Sequence, residues 1–217
     1  TLTRSTVSGN SASGQGGGIR VNGTATLTNS TVSGNCVRGD GSGTTAGGAG
    51  GGIFGFSATL TRSTVSGNNA RADGGGIRAE FVNGLDVLRT PNNANPWYQL
   101  NLVNNMLVNN VSGLAGGGIS LQDVVKANVA NNTIARNAST ATAGAAFVPG
   151  TPNQSEAQPA GIVSRGHSTL LFNTIGNGGT VSQYKRDFSN PTLVNNIVWH
   201  NRSFYWEITT PTSFELL

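Results

Sequence analysis

Residues 1–10 read TLTRSTVSGN, residues 26–35 read TLTNSTVSGN, and residues 59–68 read TLTRSTVSGN again. Four looser copies follow: NLVNNMLVNN from 101, NVANNTIARN from 128, TLLFNTIGNG from 169 and TLVNNIVWHN from 192. The second position of each copy is aliphatic (Leu2, Leu27, Leu60, Leu102, Val129, Leu170, Leu193), and so is the seventh (Val7, Val32, Val65, Leu107, Ile134, Ile175, Val198). The fifth is Ser or Asn throughout, from Ser5 and Ser30 to Asn173 and Asn196. The tenth is Asn10, Asn35, Asn68, Asn110, Asn137 and Asn201, with Gly178 breaking the column. Between the modules stands a second signature: GGGIR at 16–20, GGGIF at 50–54, GGGIR at 74–78, GGGIS at 116–120 and a degraded AGIV at 160–163.

A repeat of this kind decides the architecture before any single motif does. Each unit holds short runs rich in Thr and Val, broken by Gly and Asn, which is the pattern of short strands joined by tight turns. One unit cannot bury its few aliphatics alone, whereas a stack of units can. The shortest spacings, 23 and 25 residues, suit one turn of a parallel β-helix with three short strands. Like residues then lie above one another at the strand spacing of ~4.8 Å. Leucine, valine and isoleucine columns fill the interior. The asparagines form hydrogen-bonded ladders at the corners, where Asn and Gly tolerate left-handed turns. A leucine-rich repeat would need LxxLxLxxN, and a propeller would need longer repeats with Trp-Asp or Gly-His marks; neither is present. The expected fold is therefore all-β, a parallel β-helical solenoid of about seven turns with loop inserts.

Composition agrees. Charged residues make up 10% of the 217 residues, glycine contributes 32 and asparagine 26. These are poor helix formers. The net charge of +4 comes from 13 Lys and Arg against 9 Asp and Glu. The arginines are scattered from Arg4 to Arg202, which excludes the clustered basic patch of a nucleic-acid binder. No apolar run approaches the ~18 residues of a membrane helix, so no direct membrane span is expected. Cys36 is the single cysteine, and no His or Cys cluster points to a metal or cofactor.

The STVSGN…GGGI pattern resembles the right-handed parallel β-helix repeats of bacterial secreted and surface proteins. These include the pectin-lyase-like superfamily and the polymorphic outer-membrane-protein type of repeat. The resemblance covers residues 1–201, and NPTLVNNIVWHN at 190–201 is similar to the last turns of large exported β-helix proteins. It implies a right-handed coil, an extracellular or cell-surface bacterial setting, and a fragment of a longer chain whose anchor lies elsewhere.

Four inserts leave the coil near 36–49, 79–98, 138–159 and 179–191, and residues 202–217 read as an edge or capping segment. The 79–98 insert carries Phe81, Leu85, Trp97 and Tyr98, which are expected to pack onto the coil. Arg38-Gly39-Asp40 falls in the first insert as an integrin-type tripeptide.

Two functional classes follow. The first is a non-enzymatic scaffold, such as an adhesin, a passenger or a fibre-associated structural protein, engaging glycans or another surface protein. Its contact columns would be Arg4 with Arg62 and Arg20 with Arg78, and end-to-end self-assembly is a further expectation. Rows of Thr, such as Thr1, Thr26 and Thr59, would suit ice or mineral binding, but they lapse by residue 101. The second class is a polysaccharide lyase or glycoside hydrolase. A glycosidase needs two carboxylates some 5–10 Å apart, and a uronate lyase needs a Lys or Arg base near acidic, often calcium-binding, residues. The aspartates Asp40, Asp73, Asp86, Asp123 and Asp187 occupy no equivalent positions in adjacent turns. The nearest reactive candidates are Arg165 and His167; His200 reads as structural. An enzyme should show charged side chains converging in a groove beside the 79–98 and 138–159 inserts. A scaffold should show a flat, charge-poor face.

Overall fold

A computed structural model describes residues 1–39, 48–210 and 213–216. The chain passes repeatedly through three parallel sheets, and each pass adds one coil to a stack. The second sheet holds six strands: Thr6–Ser8, Thr31–Ser33, Thr64–Ser66, Met106–Val108, Thr133–Ala135 and Ile197–Trp199. The third also holds six, from Ser11–Ala12 to Arg202–Ser203. The first sheet is wider. In the second and third coils it is made by single long strands, Ile19–Thr28 and Ile53–Thr61. In later coils each long strand is split in two, as Ile77–Ala79 with Leu100–Val103, Ile119–Leu121 with Ala127–Ala130, and Ile162–Ser164 with Thr192–Val194. The result is an all-β fold of mostly parallel, curled sheets, consistent with a parallel β-helix.

The register is that of the repeat. Leu2 pairs with Leu27, Leu27 with Leu60, Leu60 with Leu102, Leu102 with Val129 and Val129 with Leu193. The seventh-position column runs from Val7 to Val198 in the same way. The isoleucines Ile19, Ile53, Ile77, Ile119 and Ile162 pair in a third column. These columns are the core: Leu60, Val65, Leu102, Leu107, Ile119, Val129 and Ile134 are fully buried and belong to one cluster.

Six of the modules turn two corners in left-handed backbone. The fourth position does so at Arg4, Asn29, Arg62, Asn104, Asn131 and Asn195, and the ninth at Gly9, Gly34, Gly67, Asn109, Arg136 and His200. That conformation disfavours residues with a Cβ, and Asn and Gly tolerate it best. The first glycine of each GGGI run also has positive φ, between 64° and 71° at Gly16, Gly50, Gly74 and Gly116. The second lies against the backbone of the next coil: a Cβ on Gly51 would sit 2.5 Å from the Asn69 carbonyl.

The copy at 169–178 departs from the repeat. Thr169–Gly176 form an α-helix, α2, capped by Ser168. Leu171, Thr174 and Ile175 are its buried residues, so the helical spacing of i, i+3 and i+4 overrides the alternation of a strand. Leu170 is exposed, and Leu170, Asn173 and Ile175 join no coil column. Seven modules in sequence thus correspond to six strands in the second and third sheets, and the last insert runs from 165 to 191 rather than from 179. Between Ala79 and Leu100 lies a second short helix, α1 (Leu85–Arg89). Val87 of α1, Trp97, Val125, Leu171, Ile175 and Val181 form a separate apolar cluster that locks the two inserts together. Of the four aromatic and aliphatic residues expected to pack here, only Trp97 is buried; Phe81, Leu85 and Tyr98 are exposed. Val82 and Val87 take their place in the core.

Residues after 203 leave the stack. Trp206–Thr210 and Ser213–Leu216 form an antiparallel hairpin that is pinned to the 138–159 insert by the Gln154–Glu207 bridge and by Ile208 N–H on the Asn153 carbonyl. No described helix is long and apolar enough to cross a membrane. The tripeptide residue Asp40, with the rest of 40–47, lies outside the described residues.

Candidate functional site: a lysine-lined groove

The corner asparagines form a continuous ladder. The backbone N–H and side-chain Nδ2 of Asn10 both donate to Asn35 Oδ1, at 3.0 and 2.9 Å. Asn35 donates likewise to Asn68, Asn68 to Asn110, Asn110 to Asn137 and Asn137 to Asn201. The second Nδ2 hydrogen caps a strand carbonyl of the preceding coil, as Asn68 does on the Val32 carbonyl at 3.0 Å. A parallel ladder runs through Ser5, Ser30, Ser63, Asn105, Asn132 and Asn196. Asn68, Asn110 and Asn137 are fully buried, so they hold the corners of the stack and are not a ligand surface.

The arginine columns divide. Arg4 and Arg62 are exposed corner residues, and Arg62 Nε donates to Asn29 Oδ1 at 2.9 Å. Arg20 is exposed, but its column partner Arg78 is fully buried. Arg20 and Arg78 therefore do not form a shared contact column. Arg78 Nη1 lies 3.1 Å from Asp73 Oδ2, and Nη2 lies 3.1 Å from Glu80 Oε1. Arg78 also donates to Ser120 and Gln122. Arg165 completes this network: its Nε and Nη2 grip both oxygens of Asp73 at 2.9 and 2.7 Å. Charges removed from water must be paired and hydrogen-bonded, and here they are. Arg165 is thus the clamp that fixes the start of the 165–191 insert.

His167 is held by the same insert. Its backbone N–H donates to the Asp187 carbonyl, and its Nδ1 lies 3.4 Å from Oδ1 of the fully buried Asp123. Asp123 Oδ1 accepts from Ser168 N–H at 2.6 Å. Among the described residues, His167 Nδ1 and Asp123 Oδ2 have no hydrogen-bond partner.

His167, whose side chain is buried, is among the residues around a groove of about 660 Å3 between the first sheet and the insert. Its floor carries an in-register row of polar residues, Asn101, Asn128 and Thr192. Gln183, Tyr184 and Lys185 form the facing wall, and Lys126 projects from the floor. Lys126 Nζ donates to the Ala94 carbonyl at 3.0 Å, and Trp97 packs edge-on against Tyr184 at 5.7 Å. Lys126 and Lys185 are the only lysines in the sequence, and both line this groove, whose lining among the described residues includes no Asp or Glu. The groove borders the 79–98 insert, as an enzyme site was expected to do, but the 165–191 insert rather than the 138–159 insert walls it. Lys126 and the Tyr184-Lys185 pair went unrecognised in the sequence because they lie in two segments almost 60 residues apart. The confinement of lysine to two positions was the one available signal.

Comparison with protein-family models, curated proteins and solved structures finds no match for this chain.

Proposed function

We propose that the chain is a stretch of right-handed parallel β-helix serving as a non-enzymatic extracellular or cell-surface scaffold, and that its groove holds an anionic glycan. The observation that carries this reading is the joint presence of Lys126 and Lys185 in a groove lined by no carboxylate. An extended sugar chain needs a long, shallow, polar floor. The row Asn101, Asn128 and Thr192 supplies amides and a hydroxyl at the coil spacing of ~4.8 Å, close to the repeat of a sugar residue. Tyr184, steadied by Trp97, offers a ring face. The lysines supply the charge that selects an acidic chain over a neutral one.

The alternative is a polysaccharide lyase or glycoside hydrolase, and one observation favours it. A buried aspartate, Asp123, lies beside Nδ1 of His167 at the groove, the pairing that orients an imidazole for general base work. Against hydrolysis, the lining offers no carboxylate pair.

One experiment separates them. The protein is titrated with acidic and neutral polysaccharides, with and without calcium, while binding, new reducing ends and unsaturated-sugar absorbance are followed. The scaffold reading expects retention on an acidic glycan without turnover. The double variant Lys126→Gln/Lys185→Gln is expected to weaken it at least tenfold, or about 1.4 kcal/mol, and added salt to weaken it further. Absence of binding to every acidic glycan overturns the reading. Turnover that disappears in His167→Asn establishes the enzyme instead.

A further inference from the structure

A second concave surface lies on the third sheet and shares no residue with the lysine-lined groove. It is cationic. Over residues 1–72 the sequence holds five arginines against one carboxylate, Asp40, and Arg4, Arg20, Arg38, Arg62 and Arg71 are all exposed. Arg38 and Arg71 belong together. Cys36 pairs with Asn69 and Val37 with Ala70, and Arg71 N–H donates to the Val37 carbonyl at 3.2 Å. The two arginines therefore follow in register, one coil apart, at a backbone spacing of ~4.8 Å. Like charges directly opposite on neighbouring strands repel and destabilise the pair. Among the described residues neither guanidinium meets a carboxylate within salt-bridge distance.

The next two coils complete the row. Val111 pairs with Asn69 and Ala138, and Ser112 with Ala70 and Ser139, so Gly113 follows Arg71 and Thr140 follows Gly113. Gly113 N–H donates to the Ala70 carbonyl at 2.8 Å, and a Cβ on Gly113 would run into the Arg71 carbonyl oxygen. Only glycine suits so close an approach of two backbones. The row thus reads cation, cation, gap, hydroxyl, with roughly 10 Å, two coil steps, between the backbones of Arg71 and Thr140. Here lies a cleft of about 470 Å3, lined among the described residues by no Asp or Glu. Arg71 Nη1 reaches the Arg38 carbonyl at 3.4 Å. Across the gap Thr140 gives its hydroxyl hydrogen to the Ser112 carbonyl at 3.2 Å and lies 2.9 Å from the Thr142 hydroxyl. The exposed Thr142 can then turn its own hydrogen to an anion.

From this we propose that the cleft binds a doubly charged tetrahedral oxyanion, a phosphate or sulfate group, held by Arg38, Arg71 and the Thr142 hydroxyl. Two guanidinium groups offer two positive charges and forked N–H donors that match such an anion. A carboxylate carries one charge and leaves the second arginine uncompensated. An oxyanion between the stacked cations also removes their mutual repulsion. The inference does not depend on the groove or its ligand.

Cys36 lines the same cleft and is the single cysteine of the chain, so its alkylation by iodoacetamide reports on the cleft alone. The protein is titrated with inorganic sulfate, inorganic phosphate and acetate, in chloride of matched ionic strength, while the heat of binding and the alkylation rate are followed. Sulfate and phosphate are expected to bind with a Kd of about 1 mM or tighter, and acetate not to bind. At three times its Kd either ion should slow alkylation roughly fourfold, by mass action. Arg38→Gln and Arg71→Gln should each weaken binding about tenfold, and Thr142→Val about threefold. All three side chains are exposed, and melting of each variant separates loss of the ion from loss of the fold. Lys126→Gln/Lys185→Gln should leave the protection of Cys36 unchanged, which distinguishes this cleft from the groove. Glycerol phosphate identifies the source: binding as tight as that of free phosphate assigns an ester carried on a larger molecule, and its exclusion assigns the free ion. Alkylation unslowed by either ion up to about 20 mM overturns the proposal, as does protection that survives in Arg38→Gln/Arg71→Gln or is lost in the lysine variant.

Discussion

The smallest unit that explains this protein is the corner asparagine. Asn110 donates from its backbone N–H and Nδ2 to Asn137, caps the Val65 carbonyl, and accepts two hydrogen bonds from Asn68. Its removal strands several buried polar groups, each costing about 1–3 kcal/mol. Asn110→Ala should therefore lose about 3 kcal/mol or more in urea unfolding, while the exposed Asn22→Ala should stay within about 0.5 kcal/mol. The glycine signature answers to the same residue. A Cβ on Gly76 would lie 3.1 Å from Asn110 Nδ2 and 2.7 Å from the Gly118 carbonyl, so the third glycine of GGGI exists to let the ladder pass. Gly76→Ala should cost about 1–3 kcal/mol, the ordinary penalty of overpacking, read from the same unfolding curves. Three Asn-x-Ser sequences, the acceptor pattern for N-glycosylation, begin at Asn110, Asn137 and Asn201, ladder members whose Nδ2 is engaged in hydrogen bonds. Their spacing follows from the ladder and needs no glycan to explain it.

At the level of elements, the inserts are built as one body and clamped to the coil by charge. Asp73 is fully buried and accepts from Arg78, Arg165, Ser120 and the Ala115 N–H. Breaking a buried pair from one side is worth about 3–5 kcal/mol. Arg78→Met, which leaves Glu80 without its cation, should lower stability by that amount in chemical denaturation. Helix α2 is held differently. Leu171 is fully buried in the cluster with Val87 and Trp97, and Leu171→Ala should cost about 2–5 kcal/mol of local packing. The wall bearing Tyr184 and Lys185 follows α2 in the chain, so this change should loosen the proposed binding of an acidic glycan while leaving the coil's circular dichroism intact. Titration of the variant with an acidic polysaccharide checks both parts.

Across the whole molecule, stability is that of a stack, in which each coil rests mainly on its neighbours. Inner coils have two neighbours and the sixth has one, with Leu193 and Val198 exposed. Hydrogen exchange should therefore be faster in Ile197–Trp199 than in Thr64–Ser66 and Met106–Val108. The contrast between ends and middle also shows how far the sequence could be read. The three aliphatic columns, the corner asparagines and the GGGI glycines were legible because a stack repeats the same contact in every coil, so each requirement recurs as a letter at a fixed place. TLLFNTIGNG at 169–178 misleads for the same reason: Leu170, Asn173 and Ile175 fit the columns, and Ile162 precedes Thr169 by 7 residues, as Ile19 precedes Thr26. Only the apolar surface offered by Val87, Trp97 and Val125 decides that this stretch turns as a helix and buries Leu171 instead. Single-copy features escaped altogether. Arg78 and Arg20 share a column, yet the one is buried because Asp73 and Glu80 pair with it and Arg165 in turn pairs with Asp73, and these are contacts between residues up to 92 positions apart. Periodicity by itself determined the coil, because periodic contacts are written periodically. The groove, its lysines and the Asp123–His167 pair were decided only when the chain brought unrepeated segments together.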